Sequence, residues 1–225
     1  MVRLERLGAL QRKIRQDDVA EMAKPTWDLV RGAIQGGRTD EALEFLDYGC
    51  FEGKMMHDSA VSFAEMGLTY LARFGEEEIE KLFRERYYPV AEKWLSDTPG
   101  VEESLYRCLE YQRGHFAELT VTEEPDRYVV RYDPCGSGGR LRRTREVGVT
   151  KKAYPWSWNK TGVPYYCTHC SIMLDIIPIE LRGYPIRITI PGDKPEDPCI
   201  HLFYKKPELI PEDYFTRVGK TKTIK

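Results

Sequence analysis

The stretch LTVTEEPDRYVVRY, residues 119–132, marks a change in the period of the chain. Leu119 and Val121, then Tyr128, Val130 and Tyr132, alternate on either side of Glu124-Pro125-Asp126, which is a hairpin pattern. Upstream of residue 117 the spacing is helical instead. Thr39 can cap a helix whose first turn carries Asp40 and Glu41. From Met56 a stripe of Met56, Phe63, Met66, Tyr70 and Phe74 recurs at helical intervals until Gly75 offers a stop. Val61, Ala64, Leu68 and Leu71 form a second apolar face. A helix apolar on nearly all sides is expected to be central, buried by its own domain or by a second subunit. Two more helices fit residues 76–95 and 101–116, the second opened by Pro99-Gly100.

Downstream, Ile186, Ile188 and Ile190, and then residues 199–204, read as two further strands. One helix fits between the strand pairs at residues 164–177, opened by Pro164 and ended by Pro178. The order predicts an α+β fold: an N-terminal helical layer, then a four-stranded antiparallel sheet (ββαββ) with a cysteine-bearing helix. The expected division is a helical region over residues 1–117, a Cys-rich α+β region over 118–215 packed on it as one unit, and a loose tail over 216–225.

Composition narrows the function classes. A hydrophobic fraction of 41% and a charged fraction of 31% are those of a soluble globular protein. A net charge of −2 leaves no global electrostatic footprint for nucleic acid or an anionic membrane. No stretch approaches the roughly 20 apolar residues of a membrane-spanning helix. The opening MVRLERLGALQRKIRQ has no apolar core of an export signal, so a cytoplasmic location is expected. In that setting six cysteines point to metal or thiol chemistry rather than to a disulfide framework.

Four of those cysteines fall at element boundaries of the second half. Cys135 ends the hairpin, Cys167 and Cys170 occupy the first turns of the helix, and Cys199 starts the last strand. Ligands from two or three elements, with one C-x-x-C supplying two, are what a tetrahedral zinc site uses. The candidate metal ligands are therefore Cys135, Cys167, Cys170, Cys199 and His201, with zinc ahead of an iron–sulfur cluster; His169 could substitute or line the site. Two alternatives stay open. Cysteines near a helix N-terminus can be reactive thiolates, and free cysteine is often a small buried hydrophobe. Cys50 and Cys108, beside apolar neighbours, read as core. His57, on the expected central helix, is either a satisfied core histidine or a ligand or base reaching the cysteines. His115 reads as a favourable charge at a helix end.

Between Cys135 and Val163 the chain is long and rich in glycine and arginine, a length that usually carries function or disorder. Successive glycines such as Gly138 can aim backbone N–H groups at an anion, and Arg140 can add bidentate recognition of a carboxylate. Tyr154, Trp156, Trp158, Tyr165 and Tyr166 are dense enough to wall an apolar pocket.

Residues 119–204 resemble the 4-vinyl reductase-type ligand-binding domains, in the branch named for L-2-amino-thiazoline-4-carboxylic acid hydrolase. The resemblance rests on two strands ending in Pro134-Cys135, a helix carrying Cys170 ahead of Asp175, and Glu196-Asp197-Pro198-Cys199 before Phe203-Tyr204. It implies a ligand cavity between helices and sheet, a homodimer through N-terminal helices, and hydrolysis of a small cyclic C–N/C–S substrate or plain ligand sensing. The expectation is a metal- or thiolate-dependent hydrolase or lyase acting on a small carboxylate-bearing substrate. Its catalytic groups would be His57, His169 and Cys170, and its substrate-binding groups Gly138, Arg140, Trp156, Tyr165 and Tyr166. The alternative is a zinc-stabilised, non-catalytic binding or sensor module.

Overall fold

The computed structural model of the chain describes residues 3–224 and contains two compact units, Met1–Met56 and His57–Lys225. The first holds a hairpin of β1 (Leu4–Leu7) and β2 (Arg12–Arg15), then α1 (Thr26–Gln35) and the first half of α2 (Thr39–Leu71). Ala33, Ala42 and Phe45 make its small core. Arg15, paired with Asp17, also donates to Thr26 Oγ1 at 2.9 Å. Cys50, read as core, is exposed.

The second unit carries the rest of α2, then α3 (Glu77–Asp97), α4 (Val101–Gly114), β3 (Leu119–Glu123) and β4 (Arg127–Tyr132). After α5 (Gly138–Thr144) comes a helical run with α6 (Thr168–Cys170) and α7 (Ile177–Arg182). The chain closes with β5 (Ile188–Ile190), β6 (Cys199–Tyr204) and α8 (Asp213–Thr216). The fold is α+β. Its sheet is four-stranded and antiparallel in the order β3-β4-β6-β5, with Tyr132 opposite Cys199 and Thr189 opposite His201.

Both faces of this sheet are covered, and that decides where the site lies. Directly opposed residues share a face. Val130, Tyr132 and Phe203 pack with Leu105 and Leu109 of α4 and Trp94 of α3. Ile188, Leu202 and Tyr204 join the larger core with Trp156 and Phe215. The polar residues directly before and within β5 are therefore buried: Arg187 is 3% exposed and Thr189 1%.

Three expectations need correction. The helix α2 is not buried all round. Val61 and Leu68 face the core, while the Met56–Phe63–Met66–Tyr70–Phe74 stripe faces outward. Two apolar faces on one helix can pack on a single core only along one of them.

The single helix expected between the strand pairs is in fact α5 plus a composite run. That run has a 3₁₀ turn at Tyr165–Cys167, α6, a π turn at Ser171–Ile176, and α7. Pro178 opens α7 instead of ending the helix, because near a segment start its missing N–H costs little.

The tail is also held: Val218 is buried, Lys220 pairs with Glu180, and Lys222 Nζ donates to the Glu208 carbonyl.

The long segment after α5 is ordered by buried carboxylates. Glu76 accepts from Tyr165 Oη at 2.6 Å and from the Lys151 amide at 2.7 Å. Glu65 accepts from the Gly148 amide at 2.7 Å. Burial pushes the Glu76 carboxyl up, but the bonds from Tyr165 and Lys151 outweigh it and hold its pKa below the ordinary value. A lowered folded pKa contributes stability above the ordinary carboxylate range, which is lost as pH falls through the folded pKa. Glu76→Gln should therefore flatten the acid side of the melting-temperature profile. It should also cost about 1–2 kcal/mol at neutral pH, read by denaturant unfolding.

Candidate functional site

Within the second unit a cleft is walled by the end of α4, the Cys135–Arg142 turn, residues 158–170, β5 and the start of β6. Cys135, Cys167, Cys170 and Cys199 all line it, with His115, His169 and His201. Strand alternation puts Cys199 and His201 on one face of β6. A spacing of three puts Cys167 and Cys170 on one side of the helical run. The glycines are there for space. A Cβ on Gly138 would sit 2.6 Å from Cys167 Sγ, and one on Gly136 would sit 2.3 Å from the His115 carbonyl oxygen. They let the loop cross the sulfurs closely.

Cys170 is the sulfur with activating partners. His169 Nδ1 lies against the Tyr166 carbonyl, which can only accept, so Nδ1 carries the proton. That leaves Nε2, 3.4 Å from Cys170 Sγ, free to take the thiol proton. On another side Arg187 Nη2 reaches the same sulfur at 3.4 Å. Burial alone would raise the Cys170 pKa, but the His169 charge and then the Arg187 charge bring it down to about 7. His169 moves up correspondingly: burial pulls its pKa down, and the Cys170 sulfur more than reverses this. Burial pushes Cys167 and Cys199 the other way, so both remain thiols. The π turn begins directly after Cys170, and such turns recur at functional sites.

The rest of the wall is polar, and part of it is bare. His201 is 1% exposed, with Nε2 3.6 Å from Cys199 Sγ and burial driving its pKa well down. His115 is lowered to about 4, first by burial and then by His57. Both imidazoles are neutral at physiological pH. Gln112 Oε1, His115 Nδ1, Arg142 Nε and His201 Nδ1 are buried without a hydrogen-bond partner among the described residues. Buried polar atoms are normally satisfied, so four bare ones on the residues of one cleft fit a site that takes a polar ligand. Trp158 lines the same wall, its Nε1 donating to the buried Asp175 at 2.8 Å.

The expected residues divide. Cys135, Cys167, Cys170, Cys199, His201, His169, Gly138 and Tyr166 meet at the cleft. Trp156 is core, and Tyr165 holds Glu76; neither is among the lining residues. Arg140 lies outside the lining and clamps a turn: it donates to the Asp58 carboxylate at 2.9 and 3.1 Å and to the Phe116 and His115 carbonyls at 3.0 and 3.1 Å. His57 stands behind the wall, its ring 4.8 Å from that of His115.

Sequence reasoning missed Arg187, Thr189, Gln112 and the cleft position of His115. The available signal was an arginine between two isoleucines, at the start of a strand with no guarantee of a solvent face. Among the described residues no three His, Cys, Asp or Glu side chains are grouped closely enough to hold a metal ion.

Carboxamidomethylation of Cys170, followed by peptide mass spectrometry, should accelerate with pH through about 7 and then level off. Cys167 and Cys199 should stay slow over the same range. Arg187→Met should move the Cys170 midpoint upward, because a guanidinium beside the sulfur favours the thiolate; an unchanged midpoint would contradict the assignment. Arg140→Ala should instead cost about 1–3 kcal/mol of stability, because it removes the donor shared by the His115 and Phe116 carbonyls and the Asp58 carboxylate.

No family model, curated protein or solved structure matches this chain, so its function rests on the geometry of the cleft itself.

Proposed function

We propose that the chain is a small-molecule hydrolase that works through a covalent bond to Cys170. The observation that carries this reading is the placement of Cys170 Sγ between His169 Nε2 and Arg187 Nη2 in the wall of a cleft. A thiolate held by an imidazolium whose other nitrogen is fixed by a carbonyl has the logic of an activated nucleophile. In the first step the Cys170 sulfur attacks the electrophilic carbon of a C–N or C–S bond. His169 gives its Nε2 proton to the departing nitrogen or sulfur. Water then attacks the thioester-type intermediate, its proton returns to His169, and the thiolate is released. The unpartnered N–H of Arg142 Nε favours a substrate carrying a carboxylate.

A second reading has its own observation. Four cysteines facing one cleft supply soft donors that a zinc ion would draw together. The chain would then be a zinc-stabilised binding or sensor module with no turnover.

An activated ester such as p-nitrophenyl acetate separates the two. The hydrolase should release a burst of about one nitrophenolate per chain and gain one acetyl group on Cys170 by mass spectrometry. Cys170→Ser should abolish both, and His169→Gln should slow the burst by about 10²-fold or more. No burst, together with bound zinc that leaves on Cys170→Ser and takes thermal stability with it, would favour the module.

A further inference from the structure

Hydrolysis at Cys170 makes no use of the second sulfur of the same C-x-x-C segment. Cys167 ends a 3₁₀ turn and Cys170 ends α6, three residues on. The backbone that joins them is helical and tightly wound, with ψ at −22° for Cys167 and −15° for Thr168. Such shallow ψ values are those of a 3₁₀ turn, in which side chains three residues apart eclipse one another. Three steps along a helix separate Cα atoms by about 5 Å in the α form and about 6 Å in the 3₁₀ form. Both distances lie inside the range of about 4.4–6.8 Å that a disulfide spans. Cys167 and Cys170 are free, half-buried and on the wall of one cleft. Cys135 and Cys199 line that cleft too, but from the hairpin end and from β6. Cys167 is the sulfur that the local helical turn itself holds at bonding distance from Cys170.

From this geometry we infer a second activity of the cleft: the reduction of hydroperoxides, with Cys170 as the attacking sulfur and Cys167 as the thiol that closes a disulfide with it. Cys170 Sγ lies 3.4 Å from His169 Nε2 and 3.4 Å from Arg187 Nη2, so it has one group to hold its proton and another to balance its charge. In the first step the Cys170 thiolate attacks the terminal oxygen of the hydroperoxide, and the O–O bond breaks. Sulfur gives up two electrons and becomes a sulfenic acid. The departing alkoxide, stabilised by the Arg187 guanidinium, takes the Nε2 proton of His169 and leaves as the alcohol. In the second step the Cys167 thiol gives its proton to His169, and its sulfur attacks the sulfenic sulfur. The S–O bond breaks, and hydroxide takes that proton from His169 and leaves as water. A small dithiol then exchanges with the disulfide, is itself oxidised, and returns both cysteines to the reduced state. The cycle shares its sulfur with the proposed hydrolysis but none of the acyl chemistry, so neither reaction depends on the other.

Hydrogen peroxide and dithiothreitol are the probes, used on the whole chain. With both present, peroxide should be consumed over many turnovers, faster than dithiothreitol alone consumes it. With peroxide alone, the tryptic peptide 161–182 should become lighter by two hydrogens. That peptide holds Cys167 and Cys170 and no other cysteine, so its mass reads the bond in the native chain without any variant. Cys170→Ser should lose the turnover. Cys167→Ser, treated with peroxide in the absence of dithiothreitol, should hold a sulfenic acid on Cys170 that dimedone traps, where the native chain traps little. A peptide 161–182 unchanged in mass would overturn the inference. So would a Cys170 sulfinic acid in place of the disulfide, a bond from Cys170 to another cysteine, or turnover that survives Cys170→Ser. The ester burst is read separately: a chain that forms the disulfide and shows no burst keeps this activity and loses the hydrolysis.

Discussion

A guanidinium with 3% of its surface exposed must be answered by negative charge or by strong acceptors, because removing an ion from water costs several kcal/mol. Arg187 finds Thr189 Oγ1 and two sulfurs, those of Cys108 and Cys170. Cys108 is pushed up by burial and stays a thiol. The countercharge therefore falls to Cys170, the cysteine that also has an imidazole to take its proton. Burying the arginine and activating the sulfur are one arrangement. Without the thiolate the cation is stranded, and without the cation the thiol loses one of the two charges, after His169, that lower its pKa.

That arrangement needs the sheet to be covered on both faces. β5 and β6 present Thr189 and His201 on one side and Ile188 and Leu202 on the other, and both sets are buried. A sheet with one wet face would have put Arg187 in water, where its attraction for a sulfur would be screened by solvent. The α4 layer supplies the cover on the polar side. It also brings Gln112 and His115 to the cleft, where their unpaired atoms make the wall receptive rather than merely closed. Around this centre the supports are backbone and carboxylate contacts: Arg140 on the carbonyls of residues 115 and 116, Glu76 on the loop near Lys151, and Asp175 on the Trp158 indole.

The same packing leaves the outward row of α2 without cover in the single chain. One face of the helix is committed to the core through Val61 and Leu68, and the other is equally apolar. A chain with 31% charged residues that leaves a row this long so poor in charge has an apolar patch on its surface.

Much of this was legible in residue order. The alternation of Leu119, Val121, Tyr128, Val130 and Tyr132 gave the hairpin, and residues 199–204 the last strand, because period two needs no tertiary information. The convergence of Cys135, Cys167, Cys170 and Cys199 followed from their positions at element ends. Three things could not be read that way. Alternation says that Arg187 and Ile188 face opposite sides, but not that both sides are dry. Two apolar stripes on α2 look alike in sequence, and only the packing chose which one the core would take. Four cysteines at element ends look equivalent as well, until the fold places His169 and Arg187 against one of them. Local spacing fixes which side chains share a face. The charge, burial and reactivity of each depend on what the rest of the chain lays over that face, and only the tertiary structure decides that.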